Sequence, residues 1–225
     1  MTSIKKPVIF CDFDGTITLS DNIVAIMKEF KPEGYEQIMK RTVEQEISLR
    51  QGVGEMFALL PSSRKDEIVE FVIGRAGIRG GFREFLDYVK QENIEFFVTS
   101  GGMDFFIDPL LAPFDIPAEH IFCNSADFSV DKIGILWPHP CQDPCNNGCG
   151  MCKTTVMRRF PADQYERILI GDSLTDFEGA KIADLVYSRS ILTDKCAELD
   201  VKHVPFTDFF DIMDDMKQKQ QQGVL

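Results

Sequence analysis

Val8-Ile-Phe-Cys-Asp-Phe-Asp-Gly-Thr-Ile-Thr18, or VIFCDFDGTIT, runs from four apolar residues straight into two carboxylates, Asp12 and Asp14. The apolar run reads as a buried strand. Packing gives such a strand no reason to end in two acids, because unpaired buried carboxylates are costly. Open α/β sheets bind their ligands beyond the carboxyl ends of the strands. The pair therefore marks a candidate site, although a single Asp at a strand end also serves as a helix N-cap.

Outward from this stretch the chain alternates as a parallel sheet with crossover helices does. Further strands are expected at Glu95–Ser100, His120–Asn124, Arg167–Asp172 and Leu185–Ser188, the first strand being Val8–Asp12. Three of the five end in a polar group that looks functional: Asp12, Ser100 and Asp172. About 80 residues separate the first two strands, far more than a crossover needs. Ile23, Ile26, Met27 and Phe30 fall at i, i+3, i+4 and i+7, and Ile68, Phe71 and Val72 in part, so the inserted segment is helical. The expected architecture is α/β: a Rossmann-like three-layer core with a parallel sheet, made of residues 1–19 and 81–225, and a helical cap over 20–80. Gly80-Gly81 and Leu19–Asn22 are the expected hinges, and the Gln-rich Lys217–Gln222 reads as a fraying helix end.

Composition narrows the partners. The 225 residues suffice for one good-sized core with a smaller appended domain. They carry 24 basic and 36 acidic side chains, a formal charge of −12. Nucleic acid and anionic membranes call for clustered Lys and Arg, so neither is expected as a partner. No apolar stretch approaches the roughly 20 residues of a membrane helix. The first six residues lead into a strand and not into a secretory signal, so a cytoplasmic location is expected. The oligomeric state stays open.

Four motifs follow one another in order: Asp12-Phe-Asp14-Gly-Thr, then Val98-Thr-Ser100-Gly-Gly, then Lys153, then Gly171-Asp172-Ser-Leu-Thr-Asp176. This series resembles the haloacid dehalogenase superfamily of phosphatases, in its phosphoserine phosphatase branch, and covers the core almost end to end. The resemblance implies that Asp12 is a nucleophile that takes up the phosphoryl group. It implies that Asp14 is the general acid and base, and that Mg²⁺ is held by Asp12, Asp172 and the Asp14 carbonyl. Asp176 would stand behind these ligands, in contact directly or through water. Ser100 and the backbone at Gly101, taken as the start of a helix, would receive the phosphate, and Lys153 would supply a positive charge. Such residues suit the chemistry, since phosphoryl transfer is mostly positioning and charge neutralisation. Asp172 and Asp176 also read as helix caps, and Lys153 as a solvated lysine near a helix start.

Seven cysteines form the second distinctive feature. Cys141, Cys145, Cys149 and Cys152 cluster just before Lys153 in a C-x3-C-x3-C-x2-C pattern. In a cytosolic chain such clustering favours metal over disulfides. Four thiolates could hold Zn²⁺, with His139 as a substitute ligand, although paired C-x2-C knuckles are lacking. Reduced or redox-labile thiols are the other reading.

A small phosphorylated metabolite is the expected partner. In phosphoserine phosphatases an acid nine positions after the nucleophile reads the substrate ammonium, and here that position is Asp21. Its short side chain departs from the pattern. The phrases GVGEMFALLPSS, IRGGFREF, SGGMDFFIDPLL and WPHPC extend the resemblance to a bacterial subgroup acting on an enol phosphate with a thioether tail. Met56, Phe57, Met103, Phe105 and Phe106 then read either as soft walls for that tail or as core. A phosphoserine or other small phosphomonoester phosphatase is the alternative. A non-catalytic phosphate-binding module is a third reading, opposed by the presence of both Asp12 and Asp14.

Overall fold

The computed structural model describes residues 5–223. Among them, seven strands form one sheet: β1 (Lys6–Cys11), β2 (Glu95–Met103), β3 (Ile121–Asp127), β4 (Gly134–Leu136), β5 (Tyr165–Gly171), β6 (Leu185–Ser188) and β7 (Val204–Pro205). Their order is β4-β3-β2-β1-β5-β6-β7, and only β4 runs antiparallel to its neighbour. Four helices, α1 (Asn22–Phe30), α2 (Tyr35–Val43), α3 (Leu49–Phe57) and α4 (Lys65–Arg75), intervene before α5 (Phe82–Gln91) brings the chain to β2. The remaining helices are α6 (Asp104–Leu111), α7 (Lys153–Met157), α8 (Leu174–Ala180), α9 (Ser190–Glu198) and α10 (Phe209–Gln221).

The apolar run that opened the reading is the middle of this sheet. Side chains alternate across a strand, so Ile9 and Cys11 join the cluster that includes Phe85, Val98 and Ile170, while Val8 and Phe10 join Phe97, Leu169 and Val186 on the other face. A strand covered on both faces needs apolar residues at every position, and all four are wholly buried. Cys11 pairs in register with Val98 of β2 and Ile170 of β5. Asp12, Ser100 and Asp172 consequently rise from the same end of three adjacent strands.

Several boundaries differ from those expected. β2 does not give way at Gly101-Gly102 but continues to Met103 through a shift in its pairing with β3, and α6 starts at Asp104. β4 and β7, with three and two residues, are too short to carry an alternating pattern of their own. The Gln-rich tail does not fray before Gln221. Tyr88 donates from its hydroxyl to Gln220 at 2.9 Å, and Gln220 donates to Glu92 at 3.2 Å, which ties α10 to α5.

The inserted helices leave and rejoin the sheet side by side. Leu19 N–H donates to the Gly77 carbonyl at 2.9 Å and Arg79 N–H to the Ile17 carbonyl at 2.8 Å. Gly80-Gly81, the expected hinge, is tied to α5 and α10. The Gly80 carbonyl accepts from Phe209, and Gly81, at φ 78°, caps α5 where a Cβ would press on Phe210. Met56, Phe57, Met103 and Phe106 are packed in the core and Phe105 is half-buried against it, so the core reading holds for the five. Among the described residues no helix is long and apolar enough to cross a membrane.

Candidate active site

After Cys11 the chain cannot continue straight, because it folds into one wide turn in which Thr18 N–H donates to the Phe13 carbonyl at 2.9 Å. Gly15 sits in that turn at φ 82°, and a Cβ there would strike the Asp172 carboxylate. Glycine is the residue that both conditions allow. The turn carries Asp12 and Asp14 over the end of the sheet with different surroundings.

Asp12 is buried and accepts from the Lys153 ammonium at 2.5 Å. The same ammonium bonds Asp176. Burial would lower the Lys153 pKa, but the Asp12 and Asp176 carboxylates outweigh it and hold the ammonium above its usual range. Lys153 is 5% exposed, which removes the reading as a solvated lysine. Asp176 is filled on both oxygens: beside Lys153 it accepts from the backbone N–H of Asp172 at 3.1 Å and of Ser173 at 3.0 Å. Asp176 thus caps α8 and grips the lysine at once.

Asp14 faces away from this pair. One oxygen accepts from the Asn22 backbone at 3.0 Å and its side chain at 2.7 Å, and the other from the Ser100 hydroxyl at 3.3 Å. Burial pushes its carboxyl up to about 7, with Asp21 acting in the same direction and the Asn22 and Ser100 hydrogen bonds opposing. A carboxyl that holds its proton near neutrality suits an acid that must also serve as a base. Ser100 Oγ in turn accepts from Gly102 N–H at 2.9 Å. Since α6 begins only at Asp104, the helix N-terminus expected at Ser100 and Gly101 is a strand backbone instead. The Gly101 carbonyl accepts from Asn124 at 2.7 Å.

The carboxylates of Asp12, Asp172 and Asp176 converge with an oxygen of each within 4.8 Å of the others. One ammonium faces these three acids. Burial pushes Asp172 up to about 6, with Asp176 adding to it, and Asp12 well above its ordinary value, Lys153 opposing in both. Three acids against one ammonium fit a divalent cation, which would supply the missing charge. All are oxygen donors, as Mg²⁺ requires.

Two partners escaped the sequence reading. Asn22 stands in the sequence only as the end of the expected hinge Leu19–Asn22, whereas in the structure it binds Asp14 twice. Arg79, buried, donates to the carbonyls of Thr16 at 2.7 Å, Gly15 at 2.8 Å and Thr18 at 3.2 Å, and so holds the turn from behind. Its signal was a charge set between Ile78 and two glycines in an otherwise apolar return to the sheet. Asp21 caps α1, accepting from Val24 N–H at 2.9 Å. His139 is not among the ligand-type groups that gather at the cysteines, and its ring packs edge-on to Phe122.

A buried lysine between Asp12 and Asp176, a carboxyl at Asp14 raised to about 7 and three converging carboxylates thus lie together at the end of a parallel sheet, an arrangement suited to phosphoryl transfer. The chain belongs to the haloacid dehalogenase-like hydrolase family, whose model matches residues 9–181 and so takes in all six residues of the four motifs. It is 51% identical over 220 residues to the 2-hydroxy-3-keto-5-methylthiopentenyl-1-phosphate phosphatase of Brevibacillus brevis, covering 98% of this chain and 99% of that protein. The enzyme of the same name from Geobacillus thermodenitrificans is 48% identical, over 95% of this chain and 96% of its own length. Among solved structures, a phosphoserine phosphatase from T. onnurineus superposes with a TM-score of 0.70 at 15% identity, covering 95% of each chain. A phosphoserine phosphohydrolase-like protein from Francisella tularensis gives 0.66 at 20% identity, covering 92% of this chain and 98% of its own. These two likenesses concern the fold.

Proposed function

We propose that this chain is a Mg²⁺-dependent phosphatase of methionine salvage. It hydrolyses 2-hydroxy-3-keto-5-methylthiopentenyl-1-phosphate to 1,2-dihydroxy-3-keto-5-methylthiopentene and phosphate. The near-full-length identity to curated phosphatases of that substrate supports the choice of substrate. The observation that carries the chemistry is the unequal pair: Asp12 on the Lys153 ammonium, and Asp14 in a separate pocket with its carboxyl near 7.

In the first step a carboxylate oxygen of Asp12 bonds to phosphorus as the bond from phosphorus to the enol oxygen breaks. Asp14 gives its proton to that oxygen. The departing enolate is conjugated with a ketone and needs less neutralisation than an alkyl alkoxide, so the demand on Asp14 is mild. In the second step Asp14 takes a proton from water, which attacks phosphorus and returns Asp12 as carboxylate. Lys153 offsets charge on Asp12, and the Ser100 hydroxyl, which donates to Asp14 in the resting site, turns to donate to the phosphoryl oxygens. Asp12, Asp172 and the Asp14 carbonyl would hold Mg²⁺, with Asp176 behind them, and the ion would neutralise charge on the phosphoryl group. Residues 1–19 and 81–225 form the catalytic core in this reading, and 20–80 the cap that shields the site from bulk water. The thiol loop contributes no group to these steps.

Asp21 spends an oxygen on capping α1, which weakens its use as a reader of a substrate ammonium. The test is phosphate release in Mg²⁺ from the enol phosphate, phosphoserine and an aryl phosphate. The highest catalytic efficiency is expected for the enol phosphate. A preference for phosphoserine would overturn the substrate, and no release from any of the three would overturn the activity.

A further inference from the structure

Outside the acidic site the densest gathering of reactive side chains lies between β4 and α7. The sulfurs of Cys141, Cys145, Cys149 and Cys152 all lie within 4.8 Å of one another. Cys141 and Cys145 stand 3.7 Å apart and Cys145 and Cys149 4.0 Å. Disulfide sulfurs stand about 2.05 Å apart, and each of these cysteines is free. Four thiolates around one Zn²⁺, each about 2.3 Å from the ion, stand about 3.8 Å from one another by tetrahedral geometry. The observed spacings are those of ligands that share an ion.

The backbone is arranged for the same purpose. Gly148 and Gly150, at φ 64° and 81°, fold the chain back between the last three cysteines. That fold lets Cys149 N–H donate to Cys141 Sγ at 3.3 Å, a bond that favours the thiolate form. Cys152 N–H reaches the His139 carbonyl at 2.8 Å, and Gln142 N–H the Thr155 hydroxyl at 3.1 Å, so both ends of the loop are pinned to α7 or its approach.

We propose that Cys141, Cys145, Cys149 and Cys152 bind one Zn²⁺ as a closed tetrathiolate that fixes this loop. An all-thiolate set selects a soft or borderline ion, and four protein ligands leave no position for substrate, so the ion is structural. Binding releases four thiol protons to solvent for one Zn²⁺ taken up. The loop that it fixes has two attachments. Cys152 directly precedes Lys153, whose ammonium joins Asp12 to Asp176. On its other side the Gly148 carbonyl accepts from Arg50 N–H of α3 at 2.9 Å, and the Arg50 guanidinium lies 5.5 Å over the Trp137 ring. The ion thus holds the inserted helices and the active-site lysine to one rigid loop.

The test is read without substrate, so its outcome is independent of the phosphatase assignment. The full chain, grown with added zinc and purified without metal-affinity steps, is expected to carry one zinc per chain by elemental analysis. Co²⁺ exchanged into the wild-type chain is expected to show thiolate-to-cobalt charge transfer and the intense visible bands of tetrahedral coordination. Cys141→Ser and Cys149→Ser are expected to lose the zinc, while Cys196→Ser, buried elsewhere, keeps it. Three results would overturn the proposal. They are a folded wild-type chain with no zinc and four freely titrating thiols, disulfide pairs among the four by mass, and an iron chromophore in place of zinc. The cobalt spectrum decides the matter even if the serine variants fail to fold.

Discussion

The acids at the end of β1 and the thiols ahead of α7 are two clusters of like groups that flank Lys153, yet they are built in opposite ways. Asp12 and Asp14 sit in the turn that follows β1 and take their partners from other elements: Lys153 for Asp12, and Asn22 and Ser100 for Asp14. The thiols lie on a loop and bond mainly to one another. A sheet of seven strands holds the acidic cluster in place by its own packing. The thiol loop has no sheet beneath it, and the proposed zinc would supply that support. Lys153 joins the two, since its side chain belongs to one cluster and its backbone to the other.

The largest expected effect lies on the acidic side. Asp12→Asn removes the proposed nucleophile at nearly constant shape, and phosphate release is expected to fall by about 10⁴-fold or more. The circular dichroism spectrum and melting temperature should stay close to those of the parent. Activity within tenfold of the parent would remove Asp12 from its role. Lys153→Met is expected next. It leaves Asp12 and Asp176 buried without their ammonium, which costs on the order of 3–5 kcal/mol in urea unfolding and roughly 10²–10³-fold in turnover. Added Mg²⁺ should restore part of the stability, because the cation replaces some of the missing charge; no response to Mg²⁺ would argue against the cradle formed by Asp12, Asp172 and Asp176.

Arg79→Met sharpens the comparison by striking the support and not the chemistry. Three carbonyls of the turn, two of them buried, lose their charged donor, and a loss of on the order of 3 kcal/mol is expected. Turnover should fall with it, since the turn places both acids. Unchanged stability would show that water replaces the guanidinium. The smallest effect is expected for Asp21→Ala, which removes a helix cap worth about 1 kcal/mol, or about 2–4 °C in melting temperature for a chain of this size. Catalytic efficiency toward the enol phosphate should stay near that of the parent. A collapse in activity would give Asp21 a direct role at the substrate.

How much of this was legible in the sequence depended on whether a signal was local. The continuous apolar run Val8–Cys11 announced a strand covered on both faces, and the acids after it announced the site, because neighbouring residues carry both messages. Leu185–Ser188 matched the expected bounds, as β6 shows. β4 escaped because its three residues gain strand character only by pairing with β3. The continuation of β2 through Gly101-Gly102 escaped because glycines usually punctuate a strand. Here a Cβ at Gly102 would come within 2.7 Å of the Asp14 carboxylate, so the glycine is kept for close approach. Asn22 and Arg79 could not be assigned from sequence, since each acts on a partner that only the turn brings near. The cysteine spacing was plain, whereas the convergence of all four sulfurs depends on the left-handed Gly148 and Gly150.

The central claim, that Asp12 carries the phosphoryl group, is tested most directly by mixing the chain with enol phosphate and Mg²⁺, quenching in acid within one turnover and mapping the peptides by mass spectrometry. A phosphoryl group on Asp12, absent from the Asp12→Asn chain, is the predicted result. Phosphate released in that first turnover with Asp12 unmodified at every quench time would contradict the account.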